Sequence, residues 1–261
     1  MTVKHFIITR FLSEDFNHSE EELFSDEWLT RGRKVLEKHF IPTLENQTCR
    51  DFEVVFLIHD NIPAEKTAFL EDVECSFPTH VIRRNALDDF LDGYRDSCDV
   101  MVTSRFDYDD NIHKEVVECL RRFVDDNPDE VSLWGLTDGA VVIDGENTAH
   151  RKRKQKWEIG GLGLWAAMES LVLPKKRCER FFSVYRLGNH TSSVQTLKEQ
   201  YKELGISSLR ESFAYKDQTG EVMYLWVRTA YSQTVLVQHR WHDDGETVEL
   251  DLKGDFAYAG D

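Results

Sequence analysis

Short apolar runs alternate with amphipathic stretches through the first half of the chain. Four runs predict strands: VKHFII (3–8), FEVVFLIHD (52–60), THVIR (79–83) and DVMVTSR (99–105). FEVVFLIHD is continuous and ends in an acid, which predicts a strand buried on both faces, and DVMVTSR is predicted to be buried as well. The stretches between the four runs place apolar residues at helical spacing: SDEWLTRGRKVLEKHF (25–40), PAEKTAFLEDV (63–73) and NALDDFLDGYRD (85–96). This alternation predicts an α/β fold with a mostly parallel central sheet flanked by helices.

The pattern continues less regularly beyond residue 110. NIHKEVVECLRRFVDD (111–126) and SSVQTLKEQYKEL (192–204) are predicted helices. Four further strands are predicted, the first two joined by the turn TDG: EVSLWGL (130–136), GAVVID (139–144), EVMYLWVRTA (221–230) and TVLVQHRW (234–241). No linker composition appears, so a single domain is expected, with halves at 1–145 and 146–261 and the later strands completing the same sheet.

Composition narrows the functional classes. The formal net charge of −16 disfavours nucleic acid as a partner, although a small phosphorylated ligand needs only a few local cations. No apolar run is long enough for a transmembrane segment, and the N-terminus lacks a secretory pattern. The five cysteines show no CxxC spacing, which is typical of reduced thiols. We therefore expect a cytoplasmic protein, or one peripheral to a membrane.

Polar residues follow three of the predicted strands. They are Thr9 and Arg10, then His59 and Asp60, and then the segment 105–110. Ligands of open α/β sheets bind at the carboxyl ends of the strands. If the three strands are parallel neighbours, these side chains line one crevice.

The segment DVMVTSRFDYDDNIH (99–113) admits three interpretations. An acidic turn can cap the following helix. The spacing of Asp107, Asp109 and Asn111 also fits part of a calcium-binding EF-hand loop, but Ile112 stands where the loop needs glycine and a strand precedes it. Thirdly, Asp107 and Asp109 form a DxD pair whose carboxylates share one side of an extended turn. Such a pair can hold Mg²⁺ or Mn²⁺ together with substrate phosphates, as in nucleotide-sugar glycosyltransferases.

Several segments, in order and spacing, resemble the "putative rhamnosyltransferase" family of GT-A-type glycosyltransferases. They are ITRF (8–11), WLTR (28–31), IPTLENQT (41–48), FEVVFLIHD (52–60) and SRFDYDDNIH (104–113). The resemblance implies a GT-A fold, a nucleoside-diphosphate sugar donor, Mn²⁺ or Mg²⁺, and transfer of a sugar such as rhamnose to a saccharide or glycan acceptor. It also assigns the donor to the half 1–145 and the acceptor to 146–261.

The same resemblance implies roles for the residues at the strand ends. Thr9 and Arg10 would line the base or diphosphate, and Asp60 would bind the base or ribose. Arg105 would contact phosphate or ribose. The metal would be held by Asp107 and Asp109, and Asp110 would bind the metal or the sugar hydroxyls.

Later candidates are less closely tied to motifs. His190, in the turn RLGNHTS, is the candidate to complete the metal shell. Glu158, before the glycine-rich GGLG, and Asp138 are the candidate catalytic bases, and Glu169 is also available. The basic run RKRKQK (151–156) could guide an anionic substrate or form solvated surface.

Two alternatives remain open. A sugar nucleotidyltransferase would also use carboxylate-bound Mg²⁺, but the segment after the first strand, FLSEDFNHSEEELF (11–24), is acidic and lacks glycine. A non-catalytic nucleotide-sugar or carbohydrate-binding module would retain the fold without the chemistry. Metal-dependent turnover of a donor distinguishes an enzyme from such a module.

Overall fold

The structure is a computed structural model that describes residues 1–11, 19–136, 139–143, 147–151, 168–188, 192–209, 223–228 and 247–258. Its strands are β1 (Val3–Arg10), β2 (Glu53–Ile58), β3 (Thr79–Arg83), β4 (Val100–Phe106), β5 (Asp110–Ile112), β6 (Ser132–Gly135), β7 (Gly139–Ile143), β8 (Ala149–Arg151), β9 (Met168–Pro174), β10 (Tyr224–Arg228) and β11 (Thr247–Val248). Its α-helices are α1 (Glu20–Leu23), α2 (Asp26–Val35), α3 (Ile41–Glu45), α4 (Ala64–Thr67), α5 (Leu87–Asp92), α6 (Val116–Asp126), α7 (Ser193–Gln200) and α8 (Leu252–Phe256).

The central sheet has six strands in the order β3-β2-β1-β4-β9-β6. The first four are parallel, and β9 runs antiparallel between β4 and β6. Their alternate side chains supply two buried apolar clusters, one on each face of the sheet. This arrangement confirms the predicted α/β fold.

A second sheet follows the order β11-β8-β7-β10-β5. The end of the acidic segment contributes one edge strand of this sheet. Asp110 to Ile112 form that strand, β5, and pair antiparallel with β10. The later strands were expected to complete one sheet, but within the described ranges β6 and β9 enter the central sheet, whereas β7, β8, β10 and β11 belong to the second one. The predicted strand pair at TDG is also wrong as a pair, since β6 and β7 belong to different sheets.

Local chemistry explains several element boundaries. Ser25 begins helix α2, because its hydroxyl accepts a hydrogen bond from the backbone N–H of Trp28. Pro42 has no N–H and would clash with the preceding turn of a regular α-helix. The chain accommodates it by widening to a π-helical turn at Leu36–Phe40 before α3 begins. Across the described ranges, none of the helices combines the length and apolarity that crossing a bilayer requires.

Candidate active site

An ion pair joins the carboxyl ends of two central strands. Arg10 ends β1 and Asp107 follows β4, and Arg10 Nη2 lies 3.3 Å from Asp107 Oδ1. Both side chains are about half exposed, at 44% and 50%. The negative charge of Asp107, followed by contributions from Tyr185, raises the pKa of Arg10 above its ordinary value, so Arg10 stays cationic. The predicted convergence of these two strand ends is therefore observed.

The ring of Tyr185 lies beside the guanidinium groups of two arginines. Cζ of Arg10 is 5.7 Å from the ring centre and Cζ of Arg105 is 5.3 Å from it, within the range of cation–π attraction. The Tyr185 hydroxyl donates a hydrogen bond to the Ile8 carbonyl oxygen over 3.2 Å. Burial is the main cause that raises the pKa of Tyr185 to about 12. Tyr185 thus stays a neutral hydrogen-bond donor that fixes the positions of both cations.

Arg105 contacts the interior side of the site. Its Nη2 lies 3.0 Å from Oε2 of Glu169, which is fully buried on β9 opposite Arg105. The guanidinium also donates to the carbonyl oxygens of Val184 (3.0 Å) and Gly188 (2.8 Å). The other carboxylate oxygen of Glu169 accepts from the hydroxyl of Ser193, the first residue of α7. In this structure Arg105 therefore holds the turn that carries Tyr185, and a contact between Arg105 and the donor stays a prediction.

The charge of Glu169 depends on this network. Burial raises its pKa, and the charge of Arg105 and the Ser193 hydrogen bond oppose that rise. Because the carboxyl group is fully buried and already paired, its position does not suit it for taking a proton from an incoming acceptor. Glu169 is better described as a positioning residue.

Asp60 ties the ends of β2 and β3 together. Its Oδ1 accepts a hydrogen bond from the backbone N–H of Asn85 over 2.9 Å. Arg83, at the end of β3, donates to the carbonyl oxygens of His59, Asp60 and Ile62. These hydrogen bonds hold the turn at the predicted edge of the sheet, while the role of Asp60 toward a base or ribose stays a prediction.

The remaining predicted residues differ in exposure. Thr9 is fully buried, and its hydroxyl has no hydrogen-bond partner within the described ranges. Tyr108 packs its ring against Phe11, at 5.4 Å between ring centres, on the core side of the turn. Asp110 is buried within β5, at 5% exposure. Of the three carboxyl-bearing residues in DYDD, Asp107 and Asp109 are therefore the more accessible pair.

Asn111 has a different role from the one the sequence indicated. Helix α6 begins only at Val116, and Asn111 lies in β5. Its Nδ2 donates to the Phe256 carbonyl oxygen over 3.0 Å. The side chain thus connects the acidic segment to α8, and the expectation that it starts a helix is wrong.

Two side chains of the segment IPTLENQT (41–48) form hydrogen bonds with the backbone that follows the acidic turn. The Thr43 hydroxyl lies 3.0 Å from both the backbone nitrogen and the carbonyl oxygen of Ile112. Gln47 donates to the carbonyl oxygen of His113 (3.0 Å) and accepts from the N–H of Val117 (3.1 Å). Both side chains are buried. Their hydrogen bonds to the backbone therefore hold β5 and the start of α6 in position.

The donor set near Asp107 fits a hard divalent cation. Two partly exposed carboxylates offer oxygen ligands of the type that Mg²⁺ and Mn²⁺ prefer. Within the part of the chain that the structure describes, no group of three or more His, Cys, Asp or Glu side chains converges on one point. An ion here would therefore complete its shell with phosphate oxygens and water, as Mg²⁺ commonly does.

Three predicted residues lie outside the described residues. They are the candidate metal ligand His190 and the candidate bases Glu158 and Asp138. Their roles stay predictions. Conversely, sequence reasoning missed Tyr185 and Ser193, because FFSVYRLGNHTSS carries no motif; only the pairing of β4 with β9 and the turn at Val184–Leu187 brings them to Arg105.

A central sheet with parallel strands, and a paired cation and carboxylate at their carboxyl ends, define an α/β protein with a candidate ligand site at that edge of the sheet. The family described as "Putative rhamnosyl transferase" matches residues 8–154, more than half of the chain. The chain belongs to this family, which confirms the resemblance recognised in its motifs. A search of curated proteins gave no match.

Solved structures show distant similarity only. A TarS fragment from S. aureus bound to UDP-GlcNAc is 13% identical, with a TM-score of 0.37, over 87% of this chain and 59% of that one. Its complex with UDP is 12% identical, with a TM-score of 0.42, over 87% and 60%. The inositol-1-phosphate CTP transferase from T. maritima is 11% identical, with a TM-score of 0.36, over 89% and 92%. The chain thus spans about three fifths of the TarS fragment.

Proposed function

We propose that this protein is a metal-dependent glycosyltransferase that moves a sugar from a nucleoside-diphosphate sugar to a saccharide or glycan acceptor. The observation that carries the proposal is the half-exposed pair of Arg10 and Asp107 at the ends of β1 and β4. A carboxylate suited to a cation thus stands next to a guanidinium suited to a phosphate. Membership of a rhamnosyl transferase family supports rhamnose as the first sugar to test.

Each residue of the pair has a defined task in the proposed reaction. Asp107 and Asp109 would hold Mn²⁺ or Mg²⁺, which supplies positive charge to a diphosphate leaving group. Arg10, permanently cationic and held by Tyr185, would pair with phosphate oxygens once Asp107 turns to the metal. Arg105, paired with the buried Glu169, would hold the ring of Tyr185 in position.

Metal-dependent binding of the nucleotide tests the site. We expect Mn²⁺ plus UDP or another nucleoside diphosphate to raise the melting temperature of the wild type. Asp107→Asn or Asp109→Ala should remove most of this shift. The matched control is Asp125→Asn, since Asp125 is also about half exposed (51%) and lies 3.4 Å from an arginine, on helix α6. If Mn²⁺ plus the nucleotide raises the melting temperature of the Asp107 and Asp109 variants as much as that of the wild type, the metal assignment is contradicted.

Turnover then distinguishes the enzyme from the alternative. Nucleoside-diphosphate sugars, starting with rhamnose donors, would be screened for hydrolysis with and without Mn²⁺. Release of the nucleoside diphosphate together with the free sugar, dependent on metal and on Asp107, supports a glycosyltransferase. Binding without release or transfer for any donor would favour a non-catalytic nucleotide-sugar-binding module.

A further inference from the structure

A basic cavity of about 630 Å³ lies where strand β9 leaves the central sheet. Its size is within the range of sites that take small ligands. Five of the residues that line it are basic: Arg95, Lys175, Lys176, Arg177 and Lys202. Such a concentration is unusual for a chain with 48 acidic and 32 basic side chains.

Two antiparallel chain segments, 177–179 and 205–207, line part of this basic cavity. The N–H of Ser207 donates to the Arg177 carbonyl oxygen over 2.8 Å, and the N–H of Glu179 donates to the Gly205 carbonyl oxygen over 2.9 Å. Gly205 has a φ of +74°, and a Cβ there would approach the Cβ of Glu179 to 3.3 Å. Glycine thus permits the two segments to approach each other and bring Arg177 and Lys202 to the same cavity.

Arg95 is fixed in the cavity wall. Its Nη2 donates to the carbonyl oxygens of Cys178 (2.7 Å) and Lys175 (3.3 Å), and its Cζ lies 5.4 Å from the ring centre of Phe181. Its Nη1 is buried and makes no hydrogen bond to any described residue. All the acceptors of Arg95 are neutral carbonyl groups, so its full positive charge remains unbalanced by a carboxylate within the described ranges.

Two of the other four cations of the cavity are paired with carboxylates and two are not. Lys175 pairs with Asp96 and Lys176 pairs with Asp129. By contrast, Arg177 bonds the Asp129 carbonyl oxygen and the Ser208 hydroxyl, and Lys202 lies 5.8 Å from the Tyr201 ring centre. Neither has an ion pair in the described part of the chain, and Glu179 is the only acidic residue that lines the cavity there. Three unpaired cations against one carboxylate give this cavity a positive potential.

The basic cavity is remote from the candidate active site. Lys175 follows Pro174, which pairs with Val100 at the start of β4, whereas Asp107 follows the end of the same strand. Seven residues of extended chain separate the two levels, which corresponds to roughly 20 Å at about 3.3 Å per residue. A ligand in the basic cavity therefore does not share the contacts of a donor held by Arg10 and Asp107.

We propose that the basic cavity is a second anion site, which binds a small molecule carrying a phosphate or diphosphate group. Separate cations on three chain segments suit the several oxygens of such a group. The strongly negative remainder of the protein repels long polyanions, which favours a small ligand over nucleic acid. The proposal is independent of the proposed transferase activity.

Titration calorimetry with inorganic pyrophosphate, in metal-free buffer at low ionic strength, tests the site. We expect one pyrophosphate per chain, with affinity lowered about tenfold or more in Arg177→Gln/Lys202→Gln. The control Lys34→Gln/Lys253→Gln makes the same change in net charge at exposed positions on α2 and α8, and it should bind as the wild type does. Equal weakening in both double variants, or no binding by the wild type at millimolar pyrophosphate, would overturn the proposal.

Two further variants locate the site, and two further probe molecules identify the kind of ligand. Arg10→Gln should leave the binding that depends on Arg177 and Lys202 intact; loss in Arg10→Gln alone would place pyrophosphate in the candidate active site and refute a second site. The charge-retaining variant Arg177→Lys/Lys202→Arg should keep most of the affinity, which excludes misfolding as the cause of a loss. Orthophosphate and glucose 1-phosphate are compared as probes: tighter binding of the sugar phosphate would identify a phosphorylated metabolite, and equal binding a free phosphate group.

Discussion

Replacing Arg105 by methionine should expose the dependence of the site on a buried ion pair. The Nη2–Oε2 distance to Glu169 is 3.0 Å, and the two side chains are only 11% and 0% exposed. Coulomb's law with an effective dielectric constant of about 20 gives roughly 5.5 kcal/mol at this distance before desolvation is subtracted. Removing one partner leaves a buried charge without compensation, which typically costs about 3–5 kcal/mol. For a chain of this size we expect the melting temperature to fall by about 10 °C.

A double-mutant cycle measures the pair itself. Glu169→Gln keeps the shape and an acceptor for Ser193 but removes the charge. We expect the free energies of unfolding, from urea titrations of both single variants and the double variant, to show a coupling of about 2–3 kcal/mol. The double variant Arg105→Met/Glu169→Gln should be more stable than Arg105→Met alone. If the double variant loses as much as the sum of the two single variants, the pair does not act as described.

The pH dependence provides a second check on the same variant. Burial already raises the pKa of Glu169, and loss of the cation raises it further. A folded carboxyl with a raised pKa contributes stability that is present below its unfolded pKa and lost as the pH rises through the folded pKa. The stability deficit of Arg105→Met relative to wild type should therefore be smaller near pH 4 than at neutral pH, while the part caused by the lost hydrogen bonds to Val184 and Gly188 stays constant. A deficit independent of pH would refute this reasoning.

Two further predictions concern the support of the sheet. Gln47→Leu should destabilise the protein by about 2–3 kcal/mol in urea unfolding, because the buried N–H of Val117 and a carbonyl oxygen lose their partner; the exposed control Gln195→Leu should change it little. Burial, with a smaller contribution from Arg121, lowers the pKa of His5 to about 3, and its ring contacts Ser104 at 2.8 Å. Since the folded pKa is depressed, stability is complete above about pH 6.5 and declines by up to about 1.4 kcal/mol per unit as the pH falls toward 3; His5→Gln should flatten this decline in acid-unfolding curves.

Strand and helix type followed closely from local pattern. The continuous apolar runs at β1, β2 and β4 can be buried only on both faces of a sheet, and their polar ends then have to meet at one edge. Element boundaries were less predictable. Helix α6 begins five residues later than its amphipathic pattern indicated, because pairing with β10 draws Asp110 to Ile112 into a strand.

The sequence by itself determined the α/β alternation, the family, and that Arg10 and Asp107 each follow a strand. These features depend on patterns within short runs of residues, whereas the pairing of β1 with β4, which makes the two strand ends neighbours, joins segments about 97 residues apart. Only the tertiary structure decided that Arg105 faces Glu169, that Tyr185 lies beside two arginines, and that three unpaired cations share a cavity. The antiparallel insertion of β9 beside β4 brings these groups together. Its register depends on long-range packing, which no local pattern in the chain encodes.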